Sequence, residues 1–145
     1  GEARVKVLFD TNVVLDVLLA REPHAAVAAK LFALADAGGI EGVISATTVT
    51  TIHYLASKAI GAERAAACIR DLLAIFEVAA VDRAVLEAAL EQRLPDYEDS
   101  VQHEAARAAG AVAIVTRNAA DFAGSALPVF SPNELLAAVL AAKTD

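Results

Sequence analysis

The 145 residues contain no methionine, no tryptophan and a single cysteine, Cys68, and only 5% are aromatic. A lone cysteine excludes an intrachain disulfide and a thiolate metal cluster, so Cys68 is expected to be a small buried hydrophobe. Long apolar runs are missing as well. Stretches such as Ala108 to Val115 and Leu135 to Ala142 fall far short of the roughly 20 residues that a membrane-spanning helix needs. The opening residues, Gly1 to Arg4, lack the basic region, apolar region and cleavage site of a secretory signal, which makes the cytoplasm the expected compartment. Internal repeats, low-complexity tracts and linker-like stretches are also lacking, so residues 1–145 are expected to form a single domain. Cations are scarce, with 12 Lys and Arg against 19 Asp and Glu, a formal net charge of -7. That balance works against binding nucleic acid through clustered Lys and Arg. The objection weakens where acids gather around a divalent cation, which reverses the local sign.

What is present is apolar and aliphatic. Ala, Val, Leu and Ile dominate the 57% of apolar residues, a mixture suited to helices packed closely on a buried sheet. Val5 to Phe9 reads as a strand, and the polar triplet Asp10-Thr11-Asn12 leads from it into a helix over Val13 to Leu19. The spacing of Val27, Leu31, Leu34 and Ala35 predicts a second helix that ends at Gly38-Gly39. A strand at Gly42 to Ile44 follows. Ser45 then opens a helix through Leu55, and another runs from Ala62 to Leu73 after the break at Gly61. Phe76 to Val81 is the next strand, with Asp82 capping a helix to about Arg93. After Pro95 a helix from Asp96 to Gly110 carries the face Val101, Ala105, Ala108 and leads to a strand at Val112 to Val115. A last strand, Val129 to Phe130, enters a closing helix over Leu135 to Ala142, with Ser131 as cap, Pro132 at the first position and Glu134 at the third. Short apolar strands alternating with helices predict an α/β fold, a central and mainly parallel sheet of about four to five strands flanked by helices.

In such sheets ligands bind outside the carboxyl ends of the strands, and here those positions are polar. Asp10, Thr11 and Asn12 follow the first strand and Ser45 the second, while Thr116, Arg117, Asn118 and Asp121 follow the fourth. Asp96, Glu98 and Asp99 begin the helix that leads into that fourth strand, so all of them are expected at one rim. Each also suits a plainer role: Asp10 or Asn12 as a cap, Asp96 with Asp99 as a capping pair, and Asn118 with Asp121 as another. Capping does not exclude metal binding, and a cap needs only one short polar residue. Hard divalent cations take oxygen ligands, and Mg²⁺ is typically held by a few carboxylates plus substrate phosphate. Converging acids of this kind suit metal-assisted hydrolysis of a phosphodiester, which requires neither a cysteine nor a tuned histidine.

Three stretches carry a resemblance to a known family. They are Val7-Leu8-Phe9-Asp10-Thr11-Asn12-Val13-Val14-Leu15-Asp16, then Leu94-Pro95-Asp96-Tyr97-Glu98-Asp99, then Ile114-Val115-Thr116-Arg117-Asn118-Ala119-Ala120-Asp121-Phe122, with Leu127-Pro128-Val129 into Ser131-Pro132 as a fourth landmark. In this order and spacing the chain resembles the PIN-domain ribonucleases, among them the VapC-type toxins of bacterial toxin-antitoxin pairs, from Val5 to about Leu140. The resemblance implies Mg²⁺ or Mn²⁺ held by Asp10, Asp99 and Asp121, with Asn118 beside them and Asp96 as an additional ligand or water-orienting base. Thr11, Asn12, Thr116, Arg117 and Glu98 are expected to support the site or bind substrate, Arg117 by holding either a phosphate or a site carboxylate. The resemblance also implies an RNA substrate, an antitoxin partner and a homodimer. Asp16, six residues along the helix from Asp10, is expected on a solvated face. His24, His53 and His103 lack ligand spacing, and His103, four residues after Asp99, is expected in an ordinary surface or intrahelical contact.

One departure stands out. Within Ser45-Ala46-Thr47-Thr48-Val49-Thr50-Thr51-Ile52-His53 the family usually has a glutamate where Thr51 stands, and His53 faces another side of the helix. This leaves a catalytically degenerate PIN-like module, binding RNA or protein, as the alternative. A haloacid-dehalogenase-like phosphatase with Asp10 as nucleophile is a weaker fit, because such enzymes usually carry a second Asp where Asn12 stands. Response-regulator receivers fit no better, lacking here both their acidic pair and their late-strand lysine.

Overall fold

The computed structural model describes residues 4–143. The first strand, β1 (Lys6–Phe9), is followed by α1 (Thr11–Leu18), α2 (Ala25–Ala37), β2 (Glu41–Ser45), α3 (Ala46–Ile60), α4 (Ala62–Ile75), β3 (Glu77–Ala79), α5 (Arg83–Gln92), α6 (Tyr97–Ala108), β4 (Ala113–Val115), a 3-10 turn at Ala119–Phe122, β5 (Val129–Phe130) and α7 (Pro132–Lys143). The strands form one sheet in the order β3-β2-β1-β4-β5, every neighbouring pair parallel. This is the α/β arrangement expected from alternating short strands and helices.

β1 is central because it has apolar side chains for both faces. Val7 and Phe9 enter one core with Ile44, Val115 and residues of α1, α2, α3, α4 and α7. Leu8 points the other way, into a second core with Val43, Ile114 and residues of α5 and α6. The period-two alternation of the strands thus produces two buried layers. Under β1 the rings of Phe9, Phe32 and Phe76 meet edge to face, with centroids 5.0–6.0 Å apart. Gly42 on β2 makes room for them, since a Cβ there would lie 2.6 Å from the Phe76 ring. Gly38 ends α2 in the left-handed region at φ 84, as the Gly-Gly pair predicts.

Three local expectations need correction. The helix opened by Ser45 does not stop near Leu55 but runs to Ile60, because Ala56 continues the buried stripe until Gly61 breaks it. Asn118 and Asp121 are not a capping pair: Asn118 makes no side-chain cap and the segment is a short 3-10 turn. Cys68 is only half-buried on α4. No helix among the described residues is long and apolar enough to cross a membrane.

Candidate active site

The chain leaves β1 in one direction through β2 to β3, then returns across the sheet by α5 and α6 to place β4 on the other side of β1. That reversal opens a crevice between the carboxyl ends of β1 and β4. Asp10 sits at its floor. Its own N–H donates to Val115 O at 3.0 Å, and its Oδ1 accepts the Thr11 N–H at 2.7 Å, so it caps α1 while facing the crevice. Across the gap Thr116 Oγ1 donates to Asp10 Oδ2 at 2.7 Å and accepts the Asn118 N–H at 3.0 Å. Asn12 ties the same loop, its Nδ2 3.5 Å from Thr116 Oγ1 and its Oδ1 accepting the Arg117 N–H at 3.4 Å.

The residue that sequence reasoning missed is Gln102, buried on α6. Its Nε2 donates to Asp10 Oδ1 at 3.1 Å and to Asp99 Oδ1 at 3.2 Å, while its Oε1 accepts from Thr48 Oγ1 at 3.2 Å. Thr48 in turn contacts Thr11 Oγ1 at 3.0 Å. One amide therefore holds two carboxylates in place. A signal was present: Gln102 lies three residues after Asp99, on the same helix face.

Above this network lies a pocket of about 110 Å³. Asp10, Glu98 and Asp99 supply its acids, Thr11, Thr47, Thr48 and Thr51 its hydroxyls, and Gln102 its amide. Asp96 and Asp121 stand outside that lining. Asp96 is exposed and caps α6, its Oδ1 accepting the Asp99 N–H at 3.3 Å. Asp121, half-buried in the 3-10 turn, adds its charge to those felt by Asp10 and Asp99. His53 is exposed and takes no part in the pocket.

The electrostatics follow from this crowding. Burial raises the Asp10 carboxyl above its ordinary range, opposed by hydrogen bonds from Thr116, Gln102 and Thr11, with the Asp121 charge pushing upward as well. Asp99 is pushed up to about 7, first by burial and then by the charges of Asp10, Asp96, Asp121 and Glu98. Among the described residues, no three His, Cys, Asp or Glu side chains are gathered tightly enough to cage a metal ion. The donors that do converge are all oxygen and mutually repulsive, which fits a hard cation that keeps most of its waters and takes one or two carboxylates.

One further expectation is overturned. Asp16 does not lie on a solvated face, for its side chain is fully buried: Arg21 Nε donates to Oδ1 at 2.9 Å, and Arg117 donates through Nε to Oδ2 and through Nη2 to Oδ1. Two guanidiniums offset the cost of burying that charge. His103 is fully buried, and one of its contacts is the expected intrahelical one. Its Nε2 accepts the Ala126 N–H at 3.0 Å, which leaves Nδ1 to donate to Glu104 Oε2 at 2.6 Å. It pins α6 to the loop that follows the 3-10 turn.

Comparison with known proteins agrees with this architecture. The family profile described as PIN domain matches residues 6–120. No curated protein matches the sequence. Among solved structures, the DNA-bound VapBC of Salmonella typhimurium superposes with a TM-score of 0.69 at 20% identity, covering 88% of this chain and 98% of that one. A toxin-antitoxin complex from Klebsiella pneumoniae gives 0.66 at 24%, covering 87% and 97%. VapC20 of Mycobacterium tuberculosis, a sarcin-ricin loop cleaving toxin, gives 0.66 at 17%, covering 82% and 95%. At these identities the structures share a fold with this chain, and the profile, which spans most of its length, places the chain in the PIN domain family.

Proposed function

We propose that this chain, with residues 1–145 working as one domain, is a ribonuclease that hydrolyses RNA phosphodiester bonds with Mg²⁺ or Mn²⁺. The observation that carries the reading is the shared amide of Gln102, which holds Asp10 and Asp99 together at the strand reversal. Asp10 and Asp99 are the residues that would hold the cation, with Asp121 and Asp96 near enough to add charge and Glu98 on the pocket wall. When bound, the cation supplies positive charge for the phosphodiester and activates the attacking water. The protein's own part is positional. Thr116 and the Thr11 N–H fix the Asp10 carboxylate, Gln102 fixes Asp99 against it, and Asp96 holds the first turn of α6 so that Asp99 faces the pocket.

The toxin-antitoxin complex from Klebsiella pneumoniae supports a protein antitoxin as partner. A homodimer and a cytoplasmic location come with the same reading. The test is cleavage of mixed single-stranded and structured RNAs with Mg²⁺ or Mn²⁺, set against a chelator control and the variants Asp10→Asn and Asp99→Asn. Cutting that needs the metal and is lost in both variants supports the ribonuclease. No cutting, together with no metal binding by calorimetry, favours a module that binds RNA without cleaving it. Thr51 is the observation behind that second reading, because it puts a hydroxyl on the pocket wall where the family usually has a glutamate.

A further inference from the structure

We propose that Asp16, Arg21 and Arg117 build a phosphate-binding site beside the acidic pocket, seating an RNA backbone phosphate that flanks the one being cut; this rests on the ribonuclease reading. The charge balance points there first. Arg117 alone satisfies both oxygens of the buried Asp16 carboxylate, through Nε and Nη2. Arg21 nevertheless adds a second guanidinium on Oδ1 at 2.9 Å, leaving the cluster with a surplus positive charge in a chain of net charge -7. A clamp needed only to neutralise Asp16 would stop at one arginine.

The geometry is that of a held pair of donors. Arg21 spends Nε on Asp16 and Nη2 on the Asn12 carbonyl at 3.2 Å. Arg117 spends Nε and Nη2 on Asp16. Neither Nη1 group hydrogen-bonds to a described residue, and the only buried side-chain N or O atom without a partner among the described residues is Ser57 Oγ, so both Nη1 groups reach solvent. The side chains are 39% and 25% exposed. Guanidinium groups fixed from behind, each with its Nη1 left in front, lose little freedom on binding a phosphate. The location fits too. Arg117 follows Thr116, whose hydroxyl is on Asp10, and Asn12 is bonded to both arginines and to Thr116. Asp16 acts as the positioning residue, and the two arginines as the binding ones.

Fluorescence anisotropy with a labelled mixed-sequence single-stranded RNA, in chelator so that nothing is cut, tests this directly. Arg117→Met and Arg21→Met are each expected to weaken binding about 5–10-fold and to lower the slope of log K against log salt by about 0.7 for each phosphate no longer neutralised. Where Arg117→Met fails to fold, the double change Asp16→Asn with Arg117→Met removes the buried charge along with its partner and gives the same readout. In cleavage with Mn²⁺, KM is expected to rise by a larger factor than kcat falls. Unchanged affinity and salt slope in folded variants of a chain that does cut RNA would overturn the phosphate site and leave the ribonuclease standing. A native chain that neither binds nor cuts RNA overturns both.

Discussion

Gln102 and Asp99 set the response of the site to mutation and to pH. Replacing Gln102 by Ala frees both carboxylates from their shared donor, and metal affinity measured by calorimetry is expected to fall about 10–100-fold. Asp99, at about 7, holds a proton in neutral to mildly acid solution that a cation must displace. Metal affinity should therefore fall by about tenfold per pH unit below about 7 and level off above it. The sign for folding is the reverse of that for a salt-bridged acid. In the metal-free protein the folded form keeps a proton that the unfolded chain, with a carboxyl near 4, gives up. Stability contributed by this group is thus full below about 4 and declines as pH rises to about 7. Urea titrations of metal-free protein at pH 5 and 8 should show that decline, and Asp99→Asn should flatten it. Asp10 and Asp99 were legible in the sequence because strand ends and helix starts are where polar residues collect. Gln102 left only its spacing from Asp99 as a signal and Asp16 left none, since their burial is decided by Asp10 and Arg117, far away along the chain.

At the scale of elements, binary pattern and punctuation carried the reading. Val7 to Phe9 had to be a central strand because every side chain in it is apolar, and Gly38 and Gly61 mark helix ends by their backbone freedom. The 3-10 turn at Ala119–Phe122 escaped because four residues are too few to show a period. Tertiary fit was equally invisible. Nothing local says that Gly42 must be glycine, yet the Phe76 ring occupies the space of its missing Cβ. Gly42→Ala is expected to cost about 1–3 kcal/mol by overpacking, read as a lower urea midpoint with unchanged slope. Since β2 also places Ser45 at the start of α3, which carries Thr48 to the pocket, the same variant should lower metal affinity more than a surface change of similar size on α5.

Across the whole molecule the governing imbalance is one of charge. Under the proposed ribonuclease reading, an acidic protein needs its sign reversed where the RNA strand would lie, and the two arginines on Asp16 reverse it over one small patch only. Added Ca²⁺ is therefore expected to tighten RNA binding in anisotropy, while added NaCl loosens it, and Asp99→Asn should remove most of the Ca²⁺ effect. Tightening by NaCl and Ca²⁺ alike would count against that account.

The parallel order of the strands has a temporal consequence. Asp10 and the hydroxyl that fixes it, on Thr116, are 106 positions apart and meet only when β4 docks against β1. During translation, Asp10, Thr48, Asp99 and Gln102 all leave the ribosome before β4 does, so the growing polypeptide carries the acids without the wall that completes their crevice. In a protein with this topology, the Thr116 hydroxyl reaches Asp10 only after that late strand is in place.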